Sequence, residues 1–140
     1  ESVKKLGKRD RSEKRIVIAE DSPLLRKLIF ETLNEAGYGN LEFFENGRDA
    51  YEYLESIAKT DNIENHVQIV ITDIEMPQMD GHHFTKKIKE HPDLECLPVI
   101  IFSSLITDDL RHKGEKVGAE DQISKPEIAE LILRIDQLIL

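Results

Sequence analysis

The chain has 140 residues, of which 39% are hydrophobic and 34% charged, and a formal net charge of −9. That is enough for one domain with its own core and too short for two. No apolar run approaches the roughly 18 residues a membrane-spanning helix needs, and nothing resembles a signal peptide, so membrane insertion is not expected.

The lone Cys96 cannot pair within the chain, which excludes an internal disulfide framework and fits a reducing, cytoplasmic setting. Charge is unevenly spread. Residues 1–15 hold seven Lys or Arg against three acids, so with −9 overall residues 16–140 carry −13. A domain that acidic is a poor holder of nucleic-acid phosphates. The basic start lacks apolar periodicity and reads as a solvated linker over 1–14, ahead of a domain over 15–140. A first residue of Glu rather than Met suggests a piece of a longer protein.

In chain order, IVIA at 16–19 predicts a first strand. Ser22 and Pro23 supply a cap and a first helical residue for a helix carrying Leu24, Leu25, Leu28, Ile29, Leu33 and Ala36 on one stripe, stopped at Gly37. A short second strand at 41–45 turns at Asn46-Gly47 into a helix bearing Ala50, Tyr51, Leu54, Ile57 and Ala58. A polar loop at 60–66 precedes a third strand at 67–72. Asp80-Gly81 opens a helix with Phe84 and Ile88 inward, ended by His91-Pro92. A fourth strand at 98–102, a weaker helix near 107–117, a short strand at 119–123 and a last helix from about Pro126 complete the pattern. Five strands alternating with five helices imply a parallel α/β sheet covered on both faces, and the continuous apolar runs fit strands buried on both sides.

Ligands of such sheets bind beyond the carboxyl ends of the strands. Strand one delivers Glu20-Asp21, strand three Asp73, strand four Ser103-Ser104 and strand five Ser124-Lys125-Pro126. Three carboxylates on one edge repel and need a cation. Mg²⁺ takes oxygen ligands and commonly joins carboxylates to a phosphate. A hydroxyl and an ammonium beside them suit the remaining phosphoryl oxygens, so Asp73 is a candidate nucleophile toward phosphorus. Taken singly, these residues would serve as caps and turns: Asp21 beside Ser22, and Asp80-Gly81 before its helix.

With Glu20-Asp21, Asp73 in TDIEMPQMDG, Ser103 and Lys125-Pro126 in order at strand ends, the chain beyond the linker resembles the receiver domain of response regulators. The resemblance implies a flavodoxin-like (βα)5 doubly wound sheet in the order 2-1-3-4-5. Asp73 would be the phosphoacceptor for a histidine kinase, and Ser103 and Lys125 would hold phosphoryl oxygens. Asp21, Asp73 and the backbone carbonyl of Glu75 would ligate Mg²⁺, with Mn²⁺ as a substitute, and Glu20 would act through water. The Lys125–Pro126 bond would be cis. FSSLI at 102–106 and GEKVGAEDQISKPE at 114–127 are similar to the receivers of CheV-type chemotaxis proteins. That narrower likeness implies a CheW-like coupling domain upstream, a chemoreceptor complex and a CheA-like kinase as phosphoryl donor.

Three positions depart from the usual receiver. Glu20 stands for Asp, Ser103 for Thr, and Gln122 for the Tyr or Phe that normally swings inward on phosphorylation. Gln122, Glu75 and Ser104 are therefore the expected switch or tuning positions. His82 and His83, adjacent on a helix, point about 100° apart and read as surface residues rather than a metal pair. Cys96 reads as a half-buried structural thiol. The rival readings are a degenerate receiver that only docks partners, and an aspartate-nucleophile phosphatase of the haloacid dehalogenase type. The second places its nucleophile on the first strand and needs a cap insertion, for which this chain has no room.

Overall fold

Residues 11–104, 106–125 and 127–140 are described by a computed structural model. Its strands are β1 (Arg15–Ala19), β2 (Asn40–Phe44), β3 (Ile69–Thr72), β4 (Val99–Ser103) and β5 (Asp121–Ser124). They pair in parallel in the order β2-β1-β3-β4-β5. Between and after them run α1 (Pro23–Glu35), α2 (Gly47–Ala58), α3 (Gly81–Glu90), α4 (Asp108–Lys116) and α5 (Ile128–Ile139). A short 3-10 turn at Ile63–Asn65, inside the expected polar loop, buries Ile63.

Side chains alternate across each strand, and here the alternation divides the core in two. Ile16, Ile18, Ile69, Ile71, Ile100 and Phe102 face Ile29 and Leu33 of α1 and Leu131 and Ile135 of α5. On the other side, Val17, Ala19, Val70 and Val99 face Ala50 and Leu54 of α2 and Phe84 and Ile88 of α3. The stripe expected of α1 is narrower than its apolar content: Ile29 and Leu33 are buried, but Leu24 is 76% and Leu28 47% exposed. At about 100° per residue, those two fall outside the arc that meets the sheet.

Helix starts follow the sequence signals. The Ser22 side chain accepts from the Leu25 N–H with Pro23 in the first turn, and Asn46, Asp80 and Thr107 cap α2, α3 and α4 in the same manner. Arg11, within the segment read as linker, is held to the domain. It ion-pairs with Asp136, donates from Nη1 to the Ala36 carbonyl at 2.8 Å and lies over the Tyr38 ring. The Tyr38 hydroxyl also donates to Asp136, tying α5 to the end of α1.

The odd member is α4. Gly114 is its one buried residue, so it lacks the apolar stripe that holds the other helices. It rests instead on polar groups. Gln122, opposite Ile101 in the β4–β5 register, is buried and donates from Nε2 to the Arg111 carbonyl at 2.9 Å. A Cβ on Gly114 would lie 2.2 Å from Gln122 Oε1, so the helix backbone approaches the amide more closely than any side chain would allow. His82 is not a surface residue: at 2% exposure it is buried at the start of α3, where the Leu110 backbone and the Lys113 ammonium of α4 act on its ring. Its neighbour on the helix, His83, is exposed as expected. Among the described residues, the buried side-chain polar atoms without a hydrogen-bond partner are His82 Nε2 and Gln122 Oε1. Each such orphan costs on the order of 1–3 kcal/mol, and both belong to the floor under α4.

Two outcomes follow from this seat. Gly114→Ala, normally worth up to about 1 kcal/mol to a helix, is expected to destabilise the wild type and to stabilise a Gln122→Ala background. Chemical denaturation of the four proteins of that cycle measures the coupling, and stabilisation of the wild type would show that the amide yields freely. Burial first, and then Lys113, hold the His82 pKa below its ordinary value, with Asp80 opposing. The unfolded chain then takes up the proton before the folded one does, so stability is lost as pH falls below about 6.5. His82→Phe is expected to flatten that part of the stability–pH curve; an unchanged slope would contradict it.

Candidate functional site

Register sets the site. Ala19 pairs with Thr72, so the residues that follow, Glu20 and Asp73, emerge side by side at the carboxyl edge of the sheet. Ser103 pairs with Ser124, and the Lys125 N–H donates to the Ser103 carbonyl at 2.9 Å. All four strand ends singled out in the sequence therefore open on one edge.

Glu20 is only 2% exposed. Its Oε2 accepts from the Ser22 N–H at 3.1 Å, and its backbone carbonyl accepts from Arg26 Nη1 at 2.8 Å. Asp73 is 8% exposed; its Oδ1 accepts from the Ile74 N–H at 2.7 Å. Lys125 Nζ joins the two acids, 2.8 Å from Glu20 Oε1 and 3.0 Å from Asp73 Oδ2. Asp21 is exposed at the rim. One carboxylate oxygen from each of Glu20, Asp21 and Asp73 lies within 4.8 Å of the others.

The loop after β3 is shaped to keep Asp73 in place. Gln78 takes a left-handed backbone with φ 70, a conformation uncommon outside glycine, and the Gly81 N–H then returns to the Ile74 carbonyl at 2.7 Å. A Cβ on Gly81 would lie 1.9 Å from the Asp73 carbonyl oxygen. Any residue but glycine would push the backbone of Asp73 aside, which is why Asp-Gly closes this loop. Thr72 Oγ1 donates to the same carbonyl at 2.8 Å.

Charge is out of balance here. Burial raises the Glu20 pKa and nearby Asp73 raises it further, while Lys125 and the Ser22 N–H oppose. Burial pulls the Lys125 ammonium down, but Glu20 and Asp73 outweigh it and its pKa ends raised. Two buried carboxylates thus share one ammonium, and the exposed Asp21 carboxylate beside them adds a third negative charge. Oxygen donors at this spacing, two of them buried, suit a hard divalent cation, which takes carboxylates readily.

Other expected positions lie apart from that centre. The Glu75 side chain is exposed and stands outside the carboxylate group. Ser103 is buried at its strand end and Ser104 exposed beside it. Gln122 faces α4 rather than the acids. The Lys125–Pro126 bond involves Pro126, outside the described residues. Cys96 is exposed rather than half-buried, because it sits in the turn between α3 and β4 while its neighbour Leu97 enters the core. Arg26, which fixes the Glu20 backbone, carried no distinguishing signal in the sequence.

Comparison with known proteins agrees with this geometry. A family model described as "Response regulator receiver domain" matches residues 16–136. The Helicobacter pylori chemotaxis protein CheV3 is 31% identical over 113 residues, covering 79% of this chain and 36% of that protein. CheV2 of the same organism is 35% identical over 123 residues, 86% of this chain and 37% of that protein. The chain thus spans little more than a third of the length of these relatives. The receiver domain of a histidine kinase from Syntrophus aciditrophicus superposes with a TM-score of 0.76 at 31% identity, covering 89% of each chain. Receiver domains bind Mg²⁺ at an acidic pocket of this kind and take phosphoryl groups from histidine kinases. On its fold, its strand-end acids and lysine and the match from Ile16 to Asp136, the chain belongs to the response regulator receiver family.

Proposed function

We propose that Asp73 is the phosphoacceptor of a chemotaxis switch, charged by a CheA-like histidine kinase. The observation that carries this reading is the Lys125 ammonium shared by Asp73 and Glu20 at a glycine-locked strand end. In the transfer, an Asp73 oxygen forms a bond to phosphorus as the phosphohistidine N–P bond breaks, and the imidazole leaves with its electron pair. Asp73 Oδ1, held by the Ile74 N–H, keeps the carboxylate oriented. Lys125 pairs with a phosphoryl oxygen as charge shifts onto it, and the Ser103 hydroxyl donates to another. Mg²⁺, or Mn²⁺ in its place, held by Asp21, Asp73 and the Glu75 carbonyl and through water by Glu20, would neutralise oxygen charge there. Rate comes from positioning and electrostatics, and water later hydrolyses the acyl phosphate.

Ser103, drawn toward the phosphoryl group, would pull on β4 and the segment leading into α4, a helix already poorly anchored. Gln122 would take the place of the usual aromatic switch by releasing or keeping its bond to the Arg111 carbonyl. Glu75, exposed two residues beyond Asp73, and Ser104 would set how readily water reaches the acyl phosphate. Likeness to CheV2 and CheV3, together with FSSLI and the segment around β5, supports a setting beside a CheW-like domain at a cytoplasmic chemoreceptor array. Among the described residues no helix is long and apolar enough to cross a membrane.

Intact-mass spectrometry after incubation with acetyl phosphate tests the chemistry. The expected result is one labile phosphoryl adduct that needs Mg²⁺ and is absent from Asp73→Ala. Lys125→Met and Ser103→Ala are each expected to slow its appearance by about a hundredfold to a thousandfold, the range for losing one stabiliser of developing charge. No adduct on a folded, Mg²⁺-binding domain would leave a docking module without the chemistry.

A further inference from the structure

Half of the twelve Lys and Arg of residues 16–140 are gathered on two helices where the function above makes no use of their charge. Together α3 and α4 hold six Lys or Arg (Lys86, Lys87, Lys89, Arg111, Lys113, Lys116) against four acids. They carry +2, while the rest of residues 16–140 carries −15. A groove of about 670 Å³ runs between the two helices, lined by Lys86, Lys89, Glu90, Lys113, Lys116 and Val117. Lys89 is neutralised by Glu120 at 2.8 Å and also donates to the Leu97 carbonyl at 2.7 Å. Lys86 has only a loose partner in Glu90 at 3.9 Å. Among the described residues no carboxylate lies within ion-pair distance of Lys113 or Lys116, and both are exposed.

We propose that this groove docks a short acidic peptide segment of a protein partner. Its cations converge from two helices on one concavity, so carboxylates laid along it meet ammonium groups on both sides. The surrounding charge limits the partner's size. Potentials fade over roughly 8 Å at physiological salt, so a short acidic segment inside the groove feels its lysines, while a duplex nucleic acid or an anionic bilayer also meets the acidic remainder and is repelled. Val117 adds an apolar side chain to the lining, suited to an alkyl group between acids. The inference depends on this groove and its charge, not on phosphorylation of Asp73.

The test is a ¹⁵N NMR titration of the 140-residue chain with a synthetic peptide of alternating Glu and Ala, beside its Gln-for-Glu counterpart. The expected shifts are confined to residues 81–90 and 108–118, weaken about tenfold between low salt and about 0.5 M salt, and do not occur with the Gln peptide. The exposed-surface double variant Lys113→Glu/Lys116→Glu is expected to abolish them. Lys27→Glu/Lys59→Glu, the same change in net charge elsewhere, is expected to leave them intact. Shifts outside the two helices, equal loss in both double variants, no binding at either salt, or tighter binding of duplex DNA or phosphatidylserine vesicles would overturn the proposal.

Discussion

One ammonium, Lys125 Nζ, stands between Glu20 and Asp73 at the edge of a buried sheet, with the Asp21 carboxylate a few ångströms away. Much of the architecture serves to make that contact possible. Two acids can emerge together only because β1 and β3 are neighbours in parallel register. Both are buried, at 2% and 8% exposure, with the Lys125 ammonium between them. They cannot relax apart, because the Asp73 backbone is pinned by Ala19, Thr72 and the close passage of Gly81. A rigid stand of this kind holds repelling charges near one another, and the repulsion is what a cation or a phosphoryl group relieves.

The opposite design holds at α4. Where α1, α2, α3 and α5 are held by apolar side chains, α4 is held by a glycine, a glutamine amide and a histidine ring. Two buried polar atoms under it lack partners, an arrangement that apolar packing would have avoided. Poorly anchored elements open first and are the ones available to a switch. A fixed reactive edge and a loosely seated helix on the neighbouring strands are the two parts a signalling domain requires, and here they meet through β4 and β5.

Most of the strand plan could be read directly, because strands buried on both faces leave uninterrupted apolar runs and their ends are marked by polar residues. Ser22, Asn46 and Asp80 announced their helix starts for a local reason: each caps its own turn. What escaped was non-local. Leu24 and Leu28 look like core until the arc touching the sheet is known. His82 looks like surface until α4 covers it, and α4 itself carries no apolar pattern to betray that contact. Cys96 depends on the path of one turn. Strand-end acids and the lysine were legible as a set because each follows its strand by one or two residues, whereas Arg26 and the Gln122–Gly114 fit arise only when distant segments meet.

Thermal unfolding with and without Mg²⁺ tests the charge imbalance most directly. Binding to the folded state alone raises Tm, so millimolar Mg²⁺ is expected to raise the wild-type Tm, with the rise lost in Asp21→Asn and in Asp73→Asn. Without Mg²⁺, Asp21→Asn, which removes one repelling charge, is expected to melt above the wild type. A wild-type Tm indifferent to Mg²⁺, or a rise that survives in Asp73→Asn, would mean that Glu20, Asp21 and Asp73 do not form the cation site on which the account depends.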